Sequence, residues 1–304
     1  MCVVAVKYIK KYGWVGAKNR DRNYPTSIKV VNSNRGGIQR LFIDDQTTRW
    51  TEGVNEYGLS IISASFSVKS DEKEGEKVLS KNKKKTPIVS PDGLAIRNAL
   101  RLKDPKEAAN FLIEKELAGA TFIFNPEKCY LLEGGFTVKK DEATKENPRK
   151  YIYNLKEITQ EEDHCVRTNH GIDLKMLGYS ANATDPHLQA ARKSSETRWE
   201  IVNNYLRDNT INDPHEFLEA MSQKPNDDKF MNPVRTGDIK KAEMVTTGQL
   251  LLVAKERTLH YRPIYSAVEF DYKKLNSEEA KTFFEIISSR KLLSFKEFTL
   301  PEYK

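Results

Sequence analysis

Alternation between β-rich blocks and pairs of short helices constrains the fold of this 304-residue chain more than any other feature. The first third holds five β-rich runs, at residues 2–8, 13–18, 28–32, 39–45 and 58–66. After two helices the β signals resume, at residues 120–125, 129–135, 150–155 and 164–170. A parallel doubly wound sheet needs strict strand–helix alternation, so this order predicts an α+β layered fold instead.

Helix starts are marked by a capping side chain followed by proline. Ser90-Pro91, Asp104-Pro105 and Asp213-Pro214 each precede an amphipathic segment. Three longer segments complete the pattern: a helix at 188–207, a β-like stretch at 244–270 and a terminal helix at 277–291. We find no internal repeat, and we expect residues 1–304 to form a single domain.

The charge of the chain is compatible with several classes of partner. The net charge is +7 and the pI about 9.0, but the 50 Lys and Arg residues interleave with 43 Asp and Glu residues, as on a solvated surface. A non-catalytic basic protein that binds nucleic acid or an acidic partner is therefore kept as an alternative. The lysine-rich stretch from Lys69 to Lys85 lacks the interleaved aromatic residues that stack on bases, so the sequence does not favour binding to nucleic acid.

Residues 68–89 form a charged segment that is poor in large apolar side chains. Such a segment cannot bury a face, so it is predicted to be a loop. Two interpretations stay open: a solvated insertion, or a lid over a site formed near the preceding strand.

The cysteines, together with the absence of targeting signals, indicate the cellular compartment. Three cysteines without a CxxC pair suit a reducing cytoplasm better than a disulfide scaffold. No apolar run approaches the length of a membrane span, and no signal-peptide pattern is present. His164, Cys165 and His170 point to opposite sides of an extended strand, so no metal is expected, and no other cofactor is predicted.

Cys2 opens the first predicted strand, and its position gives it unusual chemistry. Removal of Met1 would leave a thiol and a free α-amine on one residue. Their reference pKa values, about 8.5 and about 7.7–8.0, lie close to neutral pH, so one residue can supply both nucleophile and base. Alone, a Met-Cys start is weak evidence for catalysis.

Four further motifs follow in order: Lys18-Asn19-Arg20-Asp21, Asn55-Glu56-Tyr57-Gly58-Leu59, Thr168-Asn169-His170 and Ser194-Ser195-x-x-Arg198. Together with Cys2 they resemble the choloylglycine hydrolase and penicillin V acylase superfamily, and the related acyl-CoA:6-aminopenicillanate acyltransferases. These are N-terminal-nucleophile (Ntn) hydrolases. The resemblance implies a four-layer αββα sandwich of two antiparallel sheets.

The resemblance also implies roles for individual residues. Asp21 would hold the cationic amine, Asn55 would donate to the oxyanion, and Asn169 would be a second orienting amide. Arg198 would reach back to the site from its helix. The predicted catalytic residues are therefore Cys2, Lys18, Arg20, Asp21, Asn55, Asn169 and Arg198.

Lys18 departs from the family, in which arginine is common at this place. A lysine is a point charge and cannot form a planar fork, so the function of the arginine must be lost, relaxed or moved. We expect it to move to Arg20, because residues 18 and 20 share one face of a strand. The local Asn-Arg-Asp also resembles a second cysteine-initiated group with Asn-Arg-Asp-Glu, where this chain has Arg22 in place of the glutamate.

The function that follows is cleavage of a linear carbon–nitrogen bond in a small amide, through a thioester on Cys2 with the α-amine as base. An acyltransferase would use the same nucleophile and differ in whether a second amine, instead of water, resolves the thioester. The acyl group, the leaving group and the oligomeric state, a homo-oligomer included, stay open.

Overall fold

The computed structural model describes residues 2–22, 26–66, 90–138, 143–179, 184–236, 244–264 and 296–300. These residues form 13 strands and four helices. The predicted loop at 68–89 and the predicted terminal helix at 277–291 lie outside the described residues. In the described part of the chain, no helix has the length and apolar character that crossing a bilayer requires.

Six strands form the first sheet: β1 (Cys2–Ile9), β2 (Gly13–Arg22), β10 (His164–Arg167), β11 (Val245–Val253), β12 (Thr258–Pro263) and β13 (Lys296–Thr299). Their order is β10-β1-β2-β11-β12-β13, and every neighbouring pair is antiparallel. Cys2 pairs with Arg20 and Val4 pairs with Lys18. The first predicted hairpin is therefore confirmed, and it brings the start of β1 beside the end of β2.

Seven strands form the second sheet, in chain order: β3 (Ile28–Ser33), β4 (Arg40–Asp45), β5 (Thr51–Asn55), β6 (Ser60–Ala64), β7 (Gly119–Phe124), β8 (Cys129–Phe136) and β9 (Tyr151–Ile158). All are antiparallel. Sequence analysis did not predict β5, whose five residues are Thr-Glu-Gly-Val-Asn. The strand is wholly buried all the same, because its polar side chains find partners inside the protein.

Four helices complete the fold: α1 (Pro91–Ala99), α2 (Pro105–Glu114), α3 (Pro186–Asp208) and α4 (Pro214–Met221). Each begins at a proline that follows a capping side chain, which accepts from a backbone N–H of the first turn. The predicted starts at Pro91, Pro105 and Pro214 are confirmed. A cap satisfies a backbone donor that would otherwise have no partner within the helix.

Three apolar cores separate four layers. Val4 and Val6 of β1 pack with Phe122 between the two sheets. Val3 and Ala5 point the other way, into a core shared with α3 and α4. A third core joins the outer face of the seven-stranded sheet to α1 and α2. The structure therefore confirms the predicted αββα sandwich of two antiparallel sheets, with the central strands of both sheets buried on both faces.

Candidate active site

Cys2 lies at the edge of the central core, with only 3% of its surface exposed. Its side chain shares a face with Val4 and therefore points between the two sheets. Nη1 of Arg22, from the last residue of β2, lies 3.6 Å from the Cys2 Sγ atom. The register of the hairpin produces this contact, because it sets the first residue of β1 against the end of β2.

The three cysteines differ sharply in acidity. Burial alone would raise the pKa of the Cys2 thiol, but the positive charges of Lys18 and Arg22 outweigh it and lower the pKa to about 6. Burial raises the pKa of Cys129 and of Cys165 instead. At neutral pH, Cys2 is thus the cysteine with thiolate character, which is the form that acts as a nucleophile.

Lys18 belongs to a chain of buried charges that joins the two sheets. Its Nζ atom donates to Glu52 Oε1 on β5, and to the Ser63 carbonyl at 2.5 Å. Arg20 donates to Glu52 Oε2 at 3.2 Å and to Asp45 Oδ2 at 2.8 Å. Burial would raise the pKa of Glu52, but Lys18 and Arg20 outweigh it and hold the carboxyl in its charged form. Pairing of this kind is what makes buried charges tolerable.

Lys18 and Arg20 both reach Glu52, so they share one face of β2 as predicted. The structure does not support the expectation that Arg20 takes over at the nucleophile. Arg20 binds Asp45 and Glu52, whereas the guanidinium in contact with the thiol belongs to Arg22. Sequence analysis noted Arg22 only as a departure from Asn-Arg-Asp-Glu.

Asp21 lies on the opposite face of β2, and the structure brings it together with Arg198. Asp21 Oδ2 accepts from Arg198 Nη1 at 2.7 Å, and Oδ1 accepts from the Thr246 hydroxyl at 2.7 Å. Arg235 Nε lies 3.8 Å from the same carboxylate, and its Nη2 donates to the Ser194 hydroxyl at 2.6 Å. Sequence analysis missed Arg235, which lies in an irregular segment that carries no motif.

Asn169 is the residue whose side chain reaches the backbone of Cys2. Its Oδ1 atom accepts from the backbone nitrogen of Cys2 at 2.5 Å, and its Nδ2 atom donates to the Ser65 carbonyl at 2.6 Å. One amide side chain therefore links the start of β1 to the segment that follows β6. Removal of Met1 would convert the bound nitrogen into the α-amine of Cys2.

A hydroxyl–imidazole cluster holds Asn169 in place. Ser195 Oγ accepts from the Asn169 backbone N–H at 3.1 Å and lies 2.8 Å from the Thr168 hydroxyl. His170 Nδ1 lies 2.9 Å from Ser195 Oγ and 3.0 Å from Thr168 Oγ1. Burial, with nearby Arg192 and Arg167, lowers the pKa of His170 to about 4, so the ring is neutral at neutral pH. The motifs contain these residues, but their spacing does not indicate this role.

Asn55 is not brought to Cys2. Its Nδ2 atom donates to the carbonyls of Leu100 and Leu102, at 3.1 and 2.7 Å. Its Oδ1 atom accepts from the backbone nitrogens of Tyr57 and Leu59. Side chains alternate along β5, and since Glu52 faces the other sheet, Asn55 faces the layer of α1 and α2. The predicted oxyanion role is therefore not supported, and the motif residue stabilises a turn.

The residues considered as metal ligands have other partners. His164 Nδ1 lies 2.6 Å from Asp163 Oδ1, and Cys165 Sγ accepts from Arg167 Nη1 at 3.2 Å. Across the described ranges, no three His, Cys, Asp or Glu side chains converge in a way that would hold a metal ion.

Comparison with known proteins finds similar solved structures. A structure of penicillin V acylase from Agrobacterium tumefaciens has a TM-score of 0.44 and 11% sequence identity, over 86% of this chain and 83% of that chain. A crystal structure of a mutant conjugated bile acid hydrolase from Clostridium perfringens has a TM-score of 0.49 and 13% identity, over 99% and 98%. Both names belong to enzyme groups that the motifs resemble.

No family model matches the sequence, and no curated protein matches it.

Proposed function

We propose that this chain is a hydrolase that cleaves a linear amide bond, with Cys2 as the nucleophile and the Cys2 α-amine as the base. One observation carries the proposal: separate polar partners hold the two functional atoms of the same residue. Arg22 contacts the sulfur, and Asn169 accepts from the nitrogen. A nucleophile and a base on one residue, each held in place, is the arrangement that nucleophilic catalysis requires.

The reaction begins after Met1 is removed. The thiolate of Cys2 attacks the substrate carbonyl carbon, a carbon–sulfur bond forms, and the carbonyl electron pair moves to oxygen. When this intermediate collapses, the carbon–nitrogen bond breaks and the protonated α-amine gives its proton to the leaving nitrogen. A thioester on Cys2 remains, and the α-amine now accepts a proton from water as water attacks that thioester. The products are an amine and a carboxylic acid, and the thiolate is restored.

Asn169 fixes the direction of the amine in both halves of this cycle. An amide nitrogen carries two N–H donors, of which the Ser65 carbonyl takes one, so the second is available to the developing oxyanion. Asp21, fixed by Arg198 and Thr246, places a negative charge near the start of β1 that favours the protonated amine. Lys18 favours the thiolate.

An intact-mass measurement on the purified protein tests the first requirement, because mature enzyme must lack Met1. Turnover is then assayed on N-acyl amino acids, penicillins, acyl-homoserine lactones and conjugated bile acids, and the thioester is trapped by rapid acid quench and mass spectrometry. Cys129→Ala and Cys165→Ala are the matched controls. Turnover that survives Cys2→Ala, or that requires Met1 to be present, would overturn the proposal.

The same assay separates the acyltransferase alternative, because an added amine acceptor then captures the acyl group in place of water. A non-catalytic basic protein would turn over none of these substrates and would bind an anionic polymer with a steep dependence on salt.

A further inference from the structure

We propose that Arg22 is a catalytic residue, whose guanidinium pairs with the Cys2 thiolate and then donates to the oxyanion of the tetrahedral intermediate. This inference rests on the proposed function and adds a residue to it. It also supplies the donor that Asn55, turned toward the helices, does not provide.

The Arg22 head group is held beside the sulfur by two neighbours. Its Nη1 atom, 3.6 Å from Cys2 Sγ, also donates to the Asp21 carbonyl at 2.7 Å. Its Nε atom lies 3.9 Å from Asp45 Oδ2, the same oxygen to which Arg20 donates. The guanidinium is therefore placed by the end of its own strand and by the facing sheet.

Exposure distinguishes Arg22 from Lys18, a second cation near the thiol. The Lys18 side chain is 1% exposed and directs its ammonium to Glu52 and the Ser63 carbonyl. The Arg22 side chain is 16% exposed, so an incoming carbonyl group can meet it. Lys18 thus acts on the thiol through its field, whereas Arg22 is the cation in contact with the reacting atom.

The chemistry of a guanidinium suits both pairing with the thiolate and donation to the oxyanion. The oxyanion is two bonds away from Sγ in the intermediate, so a donor that already contacts sulfur reaches the oxygen by a small movement. Arginine carries five N–H donors in a planar fork and stays charged throughout, so no proton leaves it during the cycle. Loss of one donor placed where negative charge develops typically lowers kcat by about 10²–10³-fold.

Charged groups around Cys2 predict the sign of the effect. Lys18, Arg22 and the N-terminal amine lower the pKa of the thiol, and Asp21 raises it. Glu52 and Arg20 bear on it through their contacts with Lys18, and the buried Arg235 also interacts with the thiol. Removal of the Arg22 charge must therefore raise the pH at which Cys2 becomes a thiolate.

The test needs no substrate in its first arm. The rate of Cys2 alkylation by iodoacetamide is measured by mass spectrometry from pH 4 to pH 10 on wild type, Arg22→Gln and Arg22→Lys, with Arg207→Gln as an exposed control. We expect a wild-type midpoint near the pKa of about 6, an upward shift of about one pH unit for Arg22→Gln, and no shift for Arg207→Gln. Arg22→Lys keeps the charge and should keep a low midpoint.

In the second arm, kcat is measured on the substrate found in the amide panel. Arg22→Gln should lose about 100-fold and Arg22→Lys about 10-fold, because lysine lacks the fork. An unchanged midpoint in Arg22→Gln, or an unchanged kcat in that variant, overturns the inference. If Arg22→Gln does not fold by circular dichroism, an unchanged kcat in Arg22→Lys overturns it. Failure of the proposed function would give a different result, namely turnover that survives Cys2→Ala.

Discussion

Asn169 and Asn55 are both buried amides in recognisable motifs, but their side chains bind different kinds of partner. All four hydrogen bonds of the Asn55 side chain go to backbone groups of its own turn and of the segment after α1. The Asn169 side chain joins the backbone nitrogen of Cys2 to the Ser65 carbonyl, in the segment that follows β6. A buried amide satisfied wholly by local backbone stabilises a fold, whereas one bound to a nucleophilic residue can serve catalysis.

The largest expected effect is at the nucleophile itself. Cys2→Ala should lower kcat/KM by about 10⁴-fold or more, because no other group replaces the sulfur. Thermal unfolding at pH 6 should change little, since alanine keeps the apolar contacts of Cβ. Steady-state kinetics measure the loss of kcat/KM, and calorimetry on the same preparation measures the change in Tm. A large loss of Tm together with the loss of activity would point to a structural role for the thiol.

Asn169→Ala should come next, with a loss of about 10²–10³-fold in kcat/KM. The amine of Cys2 would lose its acceptor, so the effect should fall mainly on kcat. Kinetics at saturating substrate measure it, and the fraction of folded protein is checked by circular dichroism. An effect confined to KM would contradict the orienting role.

Asn55→Ala, in contrast to Asn169→Ala, should lower stability and leave kcat nearly unchanged. Two carbonyls and two N–H groups lose their partner, so the free energy of unfolding should fall by about 2–4 kcal/mol. The kcat of the folded protein should stay within about twofold of wild type. Urea denaturation gives the first quantity and kinetics well below the transition give the second. A selective collapse of kcat in stable protein would restore Asn55 to the site.

Ser195→Ala tests how firmly Asn169 is held. Removal of the hydroxyl frees the Asn169 backbone N–H and two partners in the cluster, so we expect kcat to fall about 10-fold. Ser195→Thr keeps the hydroxyl and should recover most of the loss. If both variants lose the same activity, packing and not the hydrogen bond holds the amide.

Lys18→Gln should give the smallest effect, a displacement of the pH profile. Loss of this positive charge disfavours the thiolate, so the acid limb of kcat/KM should move from near pH 6 to higher pH. Arg20→Lys should leave the limb in place and lower Tm, because Arg20 binds Asp45 and Glu52. A limb that moves only in Arg20→Lys would show that Arg20 has the role first predicted for it.

Sequence reasoning succeeded where local chemistry decides the structure. Helix starts at Pro91, Pro105 and Pro214 were predictable because a cap and a proline act within one turn. The αββα layers followed from a resemblance in motif order. Strand β5 was missed because Thr-Glu-Gly-Val-Asn has neither an apolar run nor a clear alternation, and its burial depends on cations from another sheet.

The site was predicted less completely, for a related reason. Glu52, Arg22 and Arg235 act through partners far away in sequence, so no local spacing identifies them. Asn55 was predicted to be an oxyanion donor because such a donor and a turn-capping amide are the same residue type beside the same glycine. Only the alternation of side chains along β5, which the sequence analysis had not identified, separates the two roles.

Glu52 reaches across the central core to Lys18. The spacing of the two sheets therefore bears on the pKa of Cys2, which Lys18 lowers. A substitution that changes the volume of the apolar layer, such as Phe122→Leu, should change the distances from the Lys18 ammonium to the Glu52 carboxylate and to the Cys2 thiol. We therefore expect substitutions in the central core to shift the pKa of Cys2, and the pH dependence of its reaction with a thiol-reactive probe would measure that shift.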